Sequence, residues 1–279
     1  MYNEQIKNML DNYSLQDIDL FKGAIREITQ IIILSGLSRA KAFSQIAFYG
    51  GTCLRIFHNL ERFSEDLDFS SIVDNFNEEA LDYSCEIAKQ ELAAYGIAAE
   101  VTKKDTLFNA NVLRRYFKIP TKPLVDDYLN GSLACHHEDK VTIKLEVDLD
   151  NATTQGATFE TKLFTRPDFA SIKTFDISSL FAGKLGAVLN RNWKTRVKGR
   201  DFYDYLFYIS NGISPNLTYL SNASKETFTI ESLKAALRQK FDEIDFDQAK
   251  ADVSGFVRST KFMGAWSKEL FIQTLDLLK

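Results

Sequence analysis

The 279-residue sequence contains little cysteine and little histidine, with three residues of each. Three cysteines make an odd number, and no two of them have the C-x-x-C spacing of zinc or redox sites. The pattern argues against a disulfide framework and favours a reducing compartment, so we expect a cytoplasmic protein. Cys135, His136 and His137 are consecutive, but side chains of adjacent residues rarely chelate one ion. We therefore expect no zinc site there.

Long apolar runs are also missing, proline is scarce, and neither sign of charge is in large excess. The apolar run 31–34 is far too short to cross a membrane, and the polar amino terminus does not resemble a signal peptide. Only four prolines argue against long disordered linkers. The formal net charge of −4 gives the chain no overall nucleic-acid-binding character. Any surface for nucleic acid must therefore be local.

The spacing of apolar residues predicts an α+β fold. A helix over 15–35 that ends at Gly36 comes first. Strands are then predicted at 45–49, 67–71, 97–103, 111–119 and 140–149, with helices at 52–58 and 78–95. After about residue 175 the spacing becomes helical, at 178–191, 200–210, 231–241 and 267–278. The order predicts an N-terminal helical segment (1–40), an α/β domain (41–172) and a C-terminal helical domain (173–279).

Two short motifs in the α/β region point to chemistry on phosphates. Gly50-Gly51-Thr52 follows a predicted strand and opens a helix. The glycines would let the backbone approach a triphosphate, and the helix start would offer free N–H groups to it. Asp66 and Asp68 are two apart on the next strand, so both carboxylates leave the same face, as Mg²⁺ or Mn²⁺ requires. Either motif alone is typical of a turn or a solvated edge, but together they indicate a metal-bound phosphate substrate.

The residues around these motifs resemble a known family. Tyr49-Gly50-Gly51-Thr52-Cys53-Leu54-Arg55, followed by Arg62-Phe63-Ser64-Glu65-Asp66-Leu67-Asp68-Phe69, looks like the AbiEii/AbiGii toxin family of the DNA polymerase β-like nucleotidyltransferase superfamily. Three further family motifs have counterparts here: Lys144-x-Glu146, a helix with Lys184 and Arg191, and Arg200-Asp201-x-x-Asp204. The resemblance implies a polymerase β-like core with a mixed sheet and flanking helices.

The resemblance also implies roles for individual residues. The metal ligands would be Asp66, Asp68 and Glu146, with Asp148 as the alternative to Glu146. Asp66, Lys184 and Asp201 would be catalytic, and Asp201 would either position Lys184 or act as a general base. The predicted nucleotide-binding residues are Gly50, Gly51, Thr52, Arg62, Ser64, Lys144, Lys184 and Arg191.

A local basic run lies beside the last of these motifs. It contains Arg191, Lys194, Arg196, Lys198 and Arg200 without any acid. We predict that the last four bind RNA phosphates, with stacking from Trp193, Phe202, Tyr203 and Tyr205. A basic loop for the triphosphate, or a solvated turn, is the alternative. A second cluster, Lys103-Lys104 with Arg114-Arg115, would extend the surface.

The resemblance implies a growth-arresting toxin of a type IV toxin–antitoxin or phage-defence system. It would transfer a nucleotide from an NTP to an RNA acceptor such as tRNA, and a cognate antitoxin would neutralise it. Nucleotidyl transfer to a protein or small-molecule hydroxyl is the first alternative. A non-catalytic NTP-binding protein is the second, although all the predicted metal carboxylates are present.

Overall fold

The computed structural model describes residues 3–103, 111–150, 154–191, 193, 197–257 and 261–279. Its strands are β1 (Ile46–Tyr49), β2 (Leu67–Ser71), β3 (Glu100–Thr102), β4 (Val112–Pro120), β5 (Lys140–Asp148), β6 (Phe159–Phe164) and β7 (Ala170–Phe175). Its α-helices are α1 (Glu4–Leu10), α2 (Ile18–Arg39), α3 (Gly50–His58), α4 (Glu78–Ala94), α5 (Thr121–Leu129), α6 (Ile177–Asn190), α7 (Gly199–Ser210), α8 (Leu217–Ser224), α9 (Ile230–Asp242), α10 (Phe246–Ser254) and α11 (Lys268–Thr274). Within these ranges, none of the helices is long and apolar enough to cross a bilayer.

The strands form one mixed seven-stranded sheet in the order β3-β4-β5-β2-β1-β7-β6. Strand β2 runs parallel to β5, and β1 runs parallel to β7, while β1 and β2 are antiparallel. Strands β3, β4 and β5 form antiparallel neighbours. A mixed sheet accompanied by many helices confirms the predicted α+β class.

The chain divides into two compact units. Unit 1 comprises Met1–Ile56, Ser64–Asn151 and Thr161–Thr174, and unit 2 comprises Phe57–Phe63, Ala152–Glu160 and Phe175–Lys279. The division at Thr174 lies close to the predicted boundary at 172. The segment 1–40, however, is part of unit 1, because α2 packs against α4. The segments 57–63 and 152–160 belong to unit 2, which no sequence pattern indicated.

The packing of α2 on α4 corrects the prediction for Gly36. This glycine does not end the helix, which continues to Arg39. A Cβ atom on Gly36 would lie 2.4 Å from Ala88 Cα, so its missing side chain lets the two helices approach closely. Gly96, in contrast, follows the end of α4 with a φ of 77° and fits the predicted stop.

Strand β5 has the alternation that its sequence predicts. Its apolar residues Val141, Ile143, Leu145 and Val147 are almost completely buried. Lys144 and Glu146, between them, are only partly buried on the other face. Period-two burial places one face of the strand in the core of unit 1 and leaves the second face for polar groups.

Unit 2 has an aromatic core formed by α7, α9, α10 and α11. Phe202, Tyr205, Phe241 and Phe271 are completely buried, and the rings of Phe202 and Phe271 meet edge to face at 5.8 Å. Aromatic side chains bury large areas, so this cluster contributes strongly to the apolar core of the unit. The predicted helix 267–278 is α11 followed by a short 3-10 turn, Leu275–Leu277.

Candidate active site

The double glycine joins β1 to α3 without an intervening loop, since the strand ends at Tyr49 and the helix begins at Gly50. Gly50 has a φ of 83°, a conformation that favours glycine. A Cβ atom at Gly50 would lie 2.6 Å from Asp68 Oδ2. Glycine is thus required by the backbone conformation and also by the carboxylate beside it.

Strands β2 and β5 bring the predicted metal carboxylates together. Asp68 lies directly opposite Glu146 in the parallel pairing of the two strands. Opposite residues on neighbouring strands share one face of a sheet. Asp66, just before β2, joins them through Lys144, whose Nζ is 3.2 Å from Asp66 Oδ2 and 2.6 Å from Glu146 Oε2.

Arg114 also belongs to this cluster, although the sequence pattern assigned it to the second basic cluster. It lies opposite Glu146 in the antiparallel pairing of β4 and β5, and its Nε donates a hydrogen bond of 2.5 Å to Glu146 Oε1. Glu146 is therefore held by two cations, Lys144 and Arg114. The period-two pattern of β4 was the available signal, because it separates Arg114 from Arg115.

The pKa values of the cluster follow these distances. Burial raises the pKa of Asp66 above its usual range, and Lys144 lowers it only in part. Burial also acts to raise the pKa of Glu146, but the hydrogen bonds from Lys144 and Arg114 outweigh it and hold that pKa below its usual range. Burial acts to lower the pKa of Lys144, yet its hydrogen bond to Glu146 and the charge of Asp66 raise it overall.

The donor set is of the type that a hard cation prefers, and two of the three carboxylates, those of Asp66 and Glu146, are paired with cations of the chain. In the part of the chain that the structure describes, no group of three or more His, Cys, Asp or Glu side chains is arranged around a common metal position. Asp66, Asp68 and Glu146 offer the oxygen ligands that Mg²⁺ prefers. Asp148, the alternative ligand, lies opposite Ser70, and its Oδ1 accepts from the backbone N–H of Asp150 at 3.0 Å. The register thus favours Glu146, and the metal assignment stays a prediction.

Thr52 and Ser64, two predicted nucleotide contacts near Asp66, make hydrogen bonds to other residues of the protein. Thr52 is completely buried, and its hydroxyl donates to the Asp66 carbonyl. Its structure-supporting role corrects the prediction that this hydroxyl faces a phosphate. The Ser64 carbonyl accepts a 3.2 Å hydrogen bond from Gln30 Nε2. The same amide donates to the Glu65 backbone carbonyl at 3.0 Å, so the buried Gln30 holds the segment ahead of Asp66. Nothing in the sequence indicated this role, because Gln30 is a single side-chain amide in a largely apolar helix, α2.

A second ionic cluster lies inside unit 2, around Lys184. Lys184 Nζ is 2.7 Å from Asp201 Oδ1 and 2.8 Å from Asp204 Oδ2. Arg62 binds the same Asp204 with two hydrogen bonds of 2.6 Å each. Asp204 is completely buried and Arg62 is 2% exposed, so this pair forms the base of the cluster. Arg191 completes the Lys184 cluster by contacting Asp201 Oδ2.

The geometry of this cluster bears on three predicted roles. Both oxygens of Asp201 are engaged by Lys184 and Arg191, which suits positioning of Lys184 better than proton abstraction. Arg62 is occupied by Asp204, which corrects its prediction as a nucleotide contact.

Burial lowers the pKa of Lys184 even though Asp204 acts against it. Burial acts to raise the pKa of Asp204, but Arg62 and then Lys184 outweigh it and hold that pKa below its usual range.

The aromatic residues of the predicted RNA surface lie in the core instead. Trp193 is 5% exposed, and Phe202 and Tyr205 are completely buried. Trp193 Nε1 donates to the Val188 carbonyl at 2.9 Å, and its ring lies 5.2 Å from that of Phe202. The stacking prediction is therefore wrong for these three residues, because they form the interior of unit 2. Tyr203 is half-buried beside Trp266.

The structure describes only part of the basic run. Lys194 and Arg196 lie outside the described residues, and Lys198 and Arg200 are half-buried. The Arg200 guanidinium lies 4.1 Å from the ring centroid of Phe256. RNA binding by these four residues stays a prediction.

The second basic cluster does not form a cationic surface. Arg115 is 2% exposed and bonds Asp82 at 2.5 Å, whereas Arg114 bonds Glu146 on the opposite face of β4. Lys103 pairs with Glu78 at 2.6 Å, and Lys104 lies outside the described residues. The prediction that this cluster extends an RNA surface is corrected, because alternation along the strand separates its arginines.

Comparison with solved structures shows the same fold in two crystal structures from one bacterium. The crystal structure of a candidate nucleotidyltransferase from H. pylori has a TM-score of 0.51 and 20% identity, covering 90% of this chain and 89% of that one. The crystal structure of JHP933 from Helicobacter pylori has a TM-score of 0.51 and 18% identity, covering 91% and 88%. A comparison with curated proteins gives no match.

A family model matches most of the chain. The model describes the nucleotidyl transferase AbiEii toxin of type IV toxin–antitoxin systems and matches residues 32–268. The match includes the Gly50 turn, the carboxylates of β2 and β5, and the Lys184 cluster. The chain therefore belongs to the AbiEii family of nucleotidyltransferase toxins from type IV toxin–antitoxin systems.

Proposed function

We propose that this nucleotidyltransferase transfers a nucleotide from an NTP to an RNA acceptor, with tRNA as the substrate class, in a Mg²⁺-dependent reaction that arrests growth. The family implies a nucleotide substrate and a cognate antitoxin. The RNA acceptor and the Mg²⁺ dependence go beyond what the family implies. The observation that carries it is the pairing of Asp68 with Glu146 on parallel strands, beside the Gly50 turn.

The residues of unit 1 fit the binding of a metal-bound triphosphate. Asp66, Asp68 and Glu146 would hold Mg²⁺, which when bound polarises the phosphate and stabilises a departing pyrophosphate. Gly50 and Gly51 form the first turn of α3, where unsatisfied N–H groups favour an anion. Lys144 and Arg114 add two positive charges beside the carboxylates, which suits the charge that spreads over the phosphate oxygens during transfer.

Within unit 2, the Lys184 cluster would hold a fixed cation. Asp201 and Asp204 hold the Lys184 ammonium from two sides, and Arg62 fixes Asp204 in turn. A lysine held in this way keeps its charge at a set position, which is how preorganised electrostatics lowers a barrier. Arg191 has the most exposed side chain among the cations of this cluster, at 41%. It is the one best suited to contact a phosphate.

Support for RNA as the acceptor comes from the basic run 191–200, which has five cations and no acid. Phosphate contacts dominate the affinity of proteins for nucleic acids, so such a run favours RNA over a small neutral acceptor. The buried aromatic residues remove base stacking by Trp193 and Phe202 from the proposal.

The test is transfer of label from each α-labelled NTP in turn to purified tRNA, with Mg²⁺ or with EDTA. We expect one NTP to label the tRNA, and EDTA to abolish labelling. Label on the protein with unlabelled tRNA would contradict RNA as the acceptor and favour protein modification. NTP binding without any transfer would contradict catalysis and favour a binding protein.

A further inference from the structure

Strand β6 lies at one edge of the sheet, where only β7 is its neighbour in the strand order. An edge strand presents backbone N–H and C=O groups that can pair with another strand. Natural proteins usually blunt such an edge with charge, proline or a covering segment. Strand β6 contains no proline, and its alternate residues differ sharply in exposure.

One face of β6 is apolar and exposed. Phe159 is 39% exposed and Leu163 is 56% exposed, with the exposed Thr161 between them. Phe169, in the connection between β6 and β7, is 67% exposed. Three of the five large exposed hydrophobic side chains in the described residues therefore lie on or next to this strand. Such concentration at an edge marks an interaction surface.

We propose that β6 pairs antiparallel with β6 of a second copy of this chain, with Thr161 opposite Thr161 at the two-fold axis. In this register Phe159 lies opposite Leu163 of the second copy, and Glu160 lies opposite Lys162. Each pair occurs twice because a two-fold interface is isologous. Aromatic–aliphatic pairs and pairs of opposite charge both favour cross-strand association.

The charges of β6 select this register over its neighbours. A shift of the axis to Glu160 would place Glu160 opposite itself, and a shift to Lys162 would place two lysines opposite each other. Like charges in directly opposite positions destabilise a strand pair. The strand is therefore complementary to itself in the proposed register and repulsive in the two nearest registers that keep the same faces aligned.

Charge reversal tests the pairing by sedimentation velocity, from about 1 to about 500 μM protein. One short strand buries less surface than a standard interface, so the wild-type dimer should form only toward high concentration. Glu160→Lys or Lys162→Glu alone should weaken association roughly tenfold or more, and the double reversal should restore it. Tyr83→Ser, which removes an exposed aromatic on α4, should leave association unchanged.

Two outcomes of that experiment would overturn the proposal. One is a wild-type protein that stays monomeric at the highest concentration. The other is a dimer whose affinity is the same in both single reversals. Thermal unfolding of each variant identifies any loss of folding, and the cysteine experiment below does not depend on the charges.

Disulfide trapping tests the register itself, in a Cys135→Ser background because Cys53 and Cys85 are buried. Thr161→Cys should form a disulfide-linked dimer on mild oxidation. Leu163→Cys should not, because the two copies of position 163 would be about 13 Å apart along the strands, beyond the reach of a disulfide. Equal trapping of the two variants, or trapping of neither, would contradict the proposed register. Neither result depends on nucleotidyl transfer.

Discussion

Gly50 and Asp68 are in direct contact, since a Cβ atom on Gly50 would lie 2.6 Å from Asp68 Oδ2. The strand-to-helix turn and a predicted metal carboxylate therefore constrain each other. A side chain at Gly50 must displace the carboxylate or distort the turn. This contact is the reason for expecting the double glycine to matter for catalysis as well as for folding.

Replacement of Gly50 tests that contact. Gly50→Ala should destabilise the protein by about 1–3 kcal/mol because of the positive φ, and should also reduce nucleotidyl transfer strongly. Gly212 is the matched control: it has a φ of 65°, but among the described residues no atom beyond its immediate chain neighbours lies within 4 Å of an added Cβ. Gly212→Ala should incur the backbone cost alone and keep the rate of transfer. Equal activity of the two variants would show that the contact is unimportant.

A second pair of glycines tests the packing of helix α2. Gly36→Ala should destabilise unit 1 by about 1–3 kcal/mol through overpacking against Ala88, despite the better helix propensity of alanine. Gly183→Ala in α6 should instead stabilise by up to about 1 kcal/mol, because the nearest atoms of Tyr219 are 3.8 Å from the added Cβ. Denaturant unfolding measures both. Stabilisation by Gly36→Ala would contradict the close approach of the two helices.

Asp204→Asn tests the buried cluster of unit 2. The substitution leaves Arg62 and Lys184 without their shared counter-charge, so we expect a loss of about 3–5 kcal/mol at neutral pH. Asp247→Asn is the control, because the Asp247 side chain is 91% exposed and pairs with Lys250 on the same helix. Its effect should stay below about 1 kcal/mol. Similar effects of the two substitutions would contradict the structural importance of the buried cluster.

The same variant has a predicted pH dependence. The pKa of Asp204 is lower in the folded protein than in the unfolded chain. The unfolded chain therefore binds more protons between those two pKa values, and the contribution of Asp204 is lost as the pH falls through that window. The stability difference between wild type and Asp204→Asn should be complete at neutral pH and shrink below about pH 4. A stability difference between wild type and Asp204→Asn that grows on acidification would contradict a lowered pKa of Asp204 in the folded protein.

Arg114→Gln tests the charge balance around Glu146. Removing a cation from a predicted metal site should lower the half-saturating Mg²⁺ concentration by roughly threefold to tenfold. The control is Lys118→Gln, on the same face of β4 but opposite Thr142 rather than Glu146. Titration of nucleotidyl transfer with Mg²⁺ measures both. A higher Mg²⁺ requirement in Arg114→Gln would show that Arg114 supports the metal site.

Local patterns predicted the elements with strong periodicity. Strand β2 matches its predicted bounds, and β5 ends one residue before its predicted end. The alternation of β5 is unambiguous because one of its faces is completely buried. Helix α5 and strands β6 and β7 were missed. Strand β6 carries its apolar residues on an exposed face, so its pattern gave no buried stripe. Helix α5 is short and begins directly after Pro120.

In the candidate site, too, local patterns predicted some residues and missed others. The motifs named Asp68, Glu146 and Lys184 from the sequence, but their partners depend on pairings that no local pattern encodes. Arg62 and Asp204 are 142 residues apart in the chain, and Arg114 meets Glu146 only through strand register. The aromatic residues after the basic run fit a core and an RNA surface equally well by composition, and burial alone distinguishes them.

The most direct measurement compares Asp68→Asn, Glu146→Gln and Asp148→Asn in the tRNA-labelling reaction with Mg²⁺, each checked for folding by thermal unfolding. Asp68→Asn and Glu146→Gln should each lose at least about a hundredfold in rate. Asp148→Asn should remain close to wild type, because Asp148 lies opposite Ser70 rather than Asp68. Transfer to tRNA at the wild-type rate by a folded Asp68→Asn variant would contradict the catalytic role of the β2 and β5 carboxylates.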